Sequence, residues 1–436
     1  MDPLDRRIAG LALPALGALA VEPLYNLTDT AIVGHLGRAP LGGLAVATAV
    51  LNFAVYGCGF LSMATTQRVA FLRGRGDRQS AARAAVAAYW VAAGMGVALA
   101  LVVEAAAPFI ASVAGAHHAV AHQATTYLRV AAGGLPFVLC VLAGSGHLRG
   151  TADTRTPFVI TLSSNALNVV LEVALVYGAG LGVAGSALGT VLAQVVGAAL
   201  FLGASRARLR AAGADWRPRR REVRRLFSSG VVLVVRTVAL LLALSGSTAV
   251  AARVGPAVLG GHQIGLQVWF LVALSLDALA VPAQILVGEA LGAGDPYAAA
   301  RLGGRVLSRG VIAAAGLGAV TAALAPVLPA VFSGDRQIQH QAAIAIALAG
   351  ASLPLAAVAF ELDGVLLGAG DFRFLRSAMA IALVGFLPAA AVTLHFHSLG
   401  IVGVWAALLC WLATRAAVLM GRWRSGKWRE TPTDHQ

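Results

Sequence analysis

Apolar residues fill this chain in long blocks separated by short polar turns. The blocks run over 8–34, 41–70, 83–108, 122–148, 157–179, 183–205, 228–252, 259–290, 306–330, 339–368, 375–396 and 400–421. A helix needs about 20 apolar residues to cross a bilayer, and each block reaches that length. A soluble core of this size would still need a polar outer face on its helices, and these blocks have none. The pattern therefore predicts an all-α membrane protein of about twelve transmembrane helices.

The pattern also repeats. Residues 30–83 lie on 248–301 without a gap, at an offset of 218, which is half of the 436-residue chain. Thr30-Ala31 recurs as Thr248-Ala249, Gly37 as Gly255 and Leu41-Gly42-Gly43 as Leu259-Gly260-Gly261. Further along, Gln123 falls on Gln341, Pro136 on Pro354, Gly146 on Gly364, Gly150 on Gly368 and Gly185 on Gly403. One structural unit has been duplicated. Six spans per half give both halves the same orientation, with the repeat axis along the membrane normal, a recurring transporter plan. The expected division is a first lobe over 1–204, a basic cytoplasmic linker over 205–227, a second lobe over 228–421 and a cytoplasmic tail over 422–436. The duplication also supplies an internal control: a polar residue whose repeat partner is apolar is a candidate for chemistry.

Composition agrees with the pattern. The chain is 58% hydrophobic and 12% charged, with mean hydropathy +0.79, against about 25% charge in soluble domains. The net charge is +14. If the amino terminus is inside, the arginines at 6–7, 68–83, 149–155, 206–225, 301–309, 373–376 and 422–429 are inside too, whereas Arg38, Arg253 and Arg336 fall on the opposite side. That is the positive-inside bias, and it places both termini in the cytoplasm. Nucleic-acid binding would want these charges on one continuous face; they are spread over seven segments instead. Met1 to Arg7 is too short for a cleaved targeting segment, so the first block should stay as helix one. The three cysteines, Cys58, Cys140 and Cys410, sit inside apolar blocks and predict neither disulfide nor metal site.

Two motifs read as decoys. Gly180-x-Gly182-x-x-Gly185 matches the dinucleotide fingerprint but follows a membrane span, without the acidic residue about 20 positions on. His117, His118 and His122 have metal-like spacing but no neighbouring Cys or carboxylate. Asp77, Asp153, Asp295 and Asp371 obey the repeat beside arginines, and read as helix caps and loop partners.

Ionisable groups at membrane depth are functional hypotheses by default. Asp29 lies in the polar stripe 22–30, where Glu22, Asn26 and Asp29 follow i, i+4, i+7 spacing. Its repeat partner is Ser247. Asn168 and Glu172 share a face of the fifth span, opposite Phe386 and Ala390 in the repeat. A carboxylate deprived of water can take up a proton near neutral pH and release it when water returns. In the second half, Asp277, Glu361 and Asp363 replace Gly59, Ala143 and Ser145. Glu361 and Asp363 are two apart and cannot share a helix face. Acids lining a cavity would suit a cationic substrate.

Three stretches carry a family resemblance: residues 23–37 (PLYNLTDTAIVGHLG), 284–295 (QILVGEALGAGD) and 363–371 (DGVLLGAGD). With them the chain resembles, over nearly its whole length, the multidrug and toxic compound extrusion (MATE) family, in its DNA-damage-inducible protein F branch. The resemblance implies twelve helices in two six-helix lobes. It implies a secondary antiporter that exports organic cations, drugs or toxic metabolites in exchange for protons or sodium ions by alternating access. It also implies a cation site at Asp29, Asn168, Glu172 and Thr190, the branch usually having Asp at the position of Glu172, and a bend of helix one at Pro14. Glu22, Tyr25, Asn26, Asp277, Glu361 and Asp363 are candidates for cavity or substrate contact. No cofactor beyond the coupling ion, no metal and no nucleic-acid partner is expected. The protein should work as a monomer in the cell membrane. A lipid-linked-precursor flippase of the same superfamily is the alternative and would favour a cationic cavity, whereas the intramembrane charges read as mostly acidic. A membrane-embedded enzyme would need a catalytic constellation at bilayer depth, and the sequence offers none.

Overall fold

The computed structural model describes residues 2–113 and 118–430. Among them there are helices and no strands. The first half holds α1 (Pro3–Gly34), α2 (Arg38–Gly57), α3 (Phe60–Gly74), α4 (Arg78–Val113), α5 (His118–Ala132), α6 (Leu135–Gly150), α7 (Arg155–Val173), a π-turn at Ala174–Gly178, and α8 (Gly182–Ala211). The second holds α9 (Arg220–Val254), α10 (Pro256–Gly292), α11 (Pro296–Leu324), the short α12 (Pro329–Phe332), α13 (Arg336–Ala369), α14 (Phe372–His395) and α15 (Gly400–Ser425). Among the described residues, eleven stretches are long and apolar enough to cross a membrane. The twelfth is α5 with α6, bent by 52° at Gly133-Gly134, where Pro136 follows and withholds a backbone donor. Of the basic stretch 205–227, residues 205–211 continue α8, 220–227 open α9, and 212–219 connect them.

The chain forms two compact units: Leu13–Gly230, and Met1–Ala12 with Val231–Gln436. The amino end of α1 thus belongs with the second half. Asp5 explains how it is held. Arg305 donates to Asp5 at 2.9 Å and Arg309 at 2.7 Å, both from α11. Arg305 also reaches Asp2 at 2.8 Å, and Arg7 reaches Glu289 on α10 at 2.7 Å.

The duplication is visible as packing inside each unit. Gly37 and Gly255 both precede a helix at positive φ, 119° and 155°, which glycine adopts at low cost. Gly43 on α2 and Gly261 on α10 each lie against a glutamine backbone one repeat apart, Gln123 and Gln341. A Cβ on Gly146 would stand 2.7 Å from the Ser62 carbonyl, and one on Gly364 2.6 Å from that of Ala280, its repeat equivalent. Small residues let membrane helices come this close. Asp77 and Asp295 cap α4 and α11 in the same way, accepting from Ser80 N at 2.9 Å and Ala298 N at 2.7 Å. Asp153 accepts from Thr156 N at 3.0 Å and from Arg208 at 2.5 Å; Asp371 accepts from Arg422 at 2.7 Å.

A candidate ion site and a buried arginine cluster

In the unit Leu13–Gly230, three helices each present a polar pair at i, i+4 spacing, which puts both members on one face. They are Tyr25 and Asp29 on α1, Asn168 and Glu172 on α7, and Ser186 and Thr190 on α8. Ser186 Oγ donates to Asp29 Oδ1 at 2.8 Å. The Tyr25 and Thr190 hydroxyls are 2.9 Å apart, and Thr190 Oγ1 donates to the Ser186 carbonyl at 3.1 Å. Glu172 is fully buried and Asp29 nearly so, at 0% and 3% exposure, and the Glu172 carboxyl meets that of Asp29. Neither Glu172 oxygen receives a hydrogen bond from a protein donor, nor does Asn168 Oδ1. Gly189 permits the approach: a Cβ there would stand 3.1 Å from the Glu172 amide nitrogen. Tyr127 on α5, also buried, completes the cluster beside Tyr25, Asp29 and Thr190. Two carboxyls in contact in a dry setting strongly disfavour a double negative charge.

Asp29, Asn168, Glu172, Thr190 and Tyr25 therefore come together. Glu22 and Asn26 do not: both are exposed on α1. On α1, Tyr25 lies about 40° to one side of Asp29 and Asn26 about 60° to the other, while Glu22, nearly in line with Asp29, is two turns or about 10 Å away along the axis. Pro14 lies within α1, which is continuous from Pro3 to Gly34 and also contains Pro23. His117 lies outside the described residues, as does the His118 side chain, so the histidine grouping receives no structural account. Gly180 and Gly182 take positive φ, 67° and 55°, in the turn that opens α8.

The second-half unit differs. Asp363 on α13 is buried and paired with two buried arginines. Arg236 on α9 grips it with two donors, and Arg415 on α15 reaches it at 3.3 Å. The carboxylate is thus already neutralised, which removes it as a free acid for a cationic substrate. Glu361 faces the other side of α13, where Gly310 of α11 leaves room for it; its oxygens have no donor. Asp277 is exposed and acts on Glu361 and Arg415 through its charge. Ser247, the partner of Asp29 in the repeat, is 3.1 Å from His262 Nε2.

Arg236, Arg415, Ser186 and Tyr127 escaped the sequence reading, although one signal marks all four. Their repeat partners are Ala18, Gly197, Val404 and Ala345, so each breaks the duplication with a polar group inside an apolar span. Buried acids in the spans, Asp29, Glu172, Glu361 and Asp363, still outnumber these two arginines.

An all-helical chain with eleven or twelve membrane-crossing stretches and ionisable clusters buried within them has the make-up of a multi-pass membrane transporter. The MatE family profile matches residues 14–174 and 234–393, and the chain belongs to that family. It is similar to DNA damage-inducible protein F of Escherichia coli (strain K12), 30% identical over 97% of this chain and 94% of that one. It is also similar to Protein DETOXIFICATION 44, chloroplastic, of Arabidopsis thaliana, 30% identical over 97% of this chain and 82% of that one. Its fold is that of a multidrug resistance MATE family transporter of the MOP superfamily solved in an outward-facing conformation, with TM-score 0.89 at 21% identity, covering 99% of this chain and 98% of the other. The relatives are transporters rather than enzymes.

Proposed function

We propose that this protein is a secondary antiporter that exports organic cations, drugs or toxic metabolites from the cytoplasm in exchange for protons. It does so by alternating access, in the cell membrane, with both termini inside. The observation that carries this reading is the contact of two buried carboxyls, Asp29 and Glu172, with only Ser186 donating to the pair. One proton between them would satisfy Glu172 and relieve the repulsion. The Ser186 and Thr190 hydroxyls already have partners, so a sodium ion would have to draw them away. Proton coupling is therefore favoured over sodium. The basic bias of the turns supports the orientation. Inside-out vesicles given either a proton or a sodium gradient, with a panel of organic cations, test the reading. Export driven by the proton gradient is expected. Export driven by sodium alone would overturn the choice of ion, and no gradient-driven flux of any substrate would overturn the antiporter.

A further inference from the structure

The stretch from the end of α8 to the start of α9 carries more positive charge than the protein around it balances. Residues 206–225 hold nine arginines and two acids. Both acids are already engaged. Asp215 accepts from the Arg217 amide at 3.3 Å, with the Arg217 guanidinium 4.0 Å away. Glu222 lies 3.5 Å from Arg225 and 3.7 Å from Arg68. Arg208 is committed to Asp153 at 2.5 Å and to Thr151 at 3.3 Å. The other six, Arg206, Arg210, Arg219, Arg220, Arg221 and Arg224, are exposed, and among the described residues none of them has an acid partner.

These arginines stand at a fixed level. The connector 212–219 is packed onto the unit Leu13–Gly230, where Ala212, Ala214 and Trp216 rest on the cluster that includes Val69, Leu72, Ala81 and Ala85. The Trp216 carbonyl accepts from Trp90 Nε1 at 2.7 Å, and Trp90, on α4, is 53% exposed. Tryptophan concentrates at the membrane–water boundary, so the connector lies beside that level rather than beyond it. The flanking helices agree. On α8, exposed Leu202, Arg206 and Arg210 succeed one another in steps of one turn; on α9, exposed Phe227 follows Arg220 and Arg224 at i+7 and i+3. In each helix one stripe passes from arginine to an exposed apolar side chain. A surface that meets both headgroups and acyl chains needs that sequence of groups, whereas a nucleic acid has no use for its apolar end.

We propose that this surface docks the headgroups of anionic lipids in the cytoplasmic leaflet. Lipid phosphates take the six free guanidiniums, whose fork matches phosphate oxygens, while Leu202 and Phe227 lie along the acyl chains. Each arginine beside an anionic membrane surface strengthens the attraction about fivefold, so the cluster selects anionic over zwitterionic lipid. The proposal takes from the antiporter reading only the orientation, with the connector inside; no gradient and no transported substrate enters its test.

Fluorescence anisotropy of a labelled phosphatidylglycerol, titrated with the purified full-length protein in a neutral detergent, measures the docking. Unlabelled phosphatidylglycerol should compete about tenfold or more better than phosphatidylcholine with the same acyl chains. Arg219→Gln, Arg220→Gln and Arg221→Gln combined should weaken phosphatidylglycerol binding about tenfold or more. Arg206→Gln with Arg210→Gln, on the other helix, should weaken it as well, and decides the matter if the triple variant fails to fold. Arg373→Gln with Arg376→Gln, exposed arginines of the second-half unit, should change it little. Equal competition by the two lipids, unchanged affinity in the connector variants, or an equal loss in the Arg373 and Arg376 variant would overturn the proposal. So would inorganic phosphate or a short RNA competing as well as the lipid, since the surface would then serve a free anion or a nucleic acid. Absence of gradient-driven export with this lipid preference intact would overturn the antiporter reading alone.

Discussion

The two halves share a skeleton and differ in what they bury. At Gly43 and Gly261, or at Gly146 and Gly364, equivalent residues meet equivalent neighbours. At the repeat pair Asp29 and Ser247 the resemblance stops. Asp29 faces a second carboxyl and a serine donor, whereas Ser247 faces His262. Asp363, in turn, is held between two guanidiniums where the first half has Ser145. Backbone contacts set helix spacing and survive duplication because both copies need them. Side chains in the interior are free to diverge once spacing is fixed. The same kind of group therefore sits in opposite settings: Asp29 and Glu172 meet with no buried cation between them, and Asp363 is held by two.

Four experiments probe that contrast, beginning with the largest effect. Asp29→Asn should fold and reach the membrane yet lose gradient-driven export, because it mimics a permanently protonated acid. Export from vesicles at unchanged pH dependence would break the assignment. Asp363→Asn should do the reverse and damage the fold itself. Leaving two buried arginines without their anion costs about 3–5 kcal/mol, which would appear as a fall in thermal stability and in the yield of monodisperse protein. A stable Asp363→Asn with altered substrate choice would show that the acid is available after all.

Smaller effects test the shared skeleton. Gly43→Ala and Gly261→Ala should each cost about 1–3 kcal/mol, the usual penalty of overpacking, because each added methyl meets a glutamine backbone. Thermal melts of the two variants should agree; a large difference would show that the halves do not pack alike. The smallest effect concerns Asp153. Burial would raise its carboxyl, but the hydrogen bonds from Thr156 and Arg208 outweigh that and hold it below the usual range. Its contribution is therefore present above the unfolded value of about 3.9 and lost as pH falls through the lower folded value. Asp153→Asn should flatten the decline in melting temperature below about pH 4, which differential scanning fluorimetry across that window would detect.

The helices, their number and the duplication were legible because each rests on a property carried by single residues in order: apolar length, glycine position, proline position. The core of the carboxyl cluster was legible for the same reason, since Asp29, Asn168 and Glu172 interrupt apolar runs. Thr190 came only with the family resemblance, and Ser186 not at all. Both lie about 160 residues from Tyr25 and Asp29, and nothing local says that α8 brings them there. Arg236 and Arg415 interrupt apolar runs as plainly as Asp363 does, yet only packing reveals that one acid serves both. The spacing of Glu22, Asn26 and Asp29 misled because a shared face does not fix depth: Glu22 is about 10 Å from Asp29 along α1 and Asn26 is turned about 60° from it, and both are exposed.

The ion pairs that fasten Asp5 have a temporal consequence. Arg305 and Arg309 come 300 and 304 residues after Asp5 in the chain. At synthesis rates of about 5–20 residues per second, that interval lasts roughly 15–60 s. For that time the start of the first helix exists without the arginines that will hold it. The end made first is among the last to be secured, and substitutions at Arg305 or Arg309 would reach back to the opening residues of the protein.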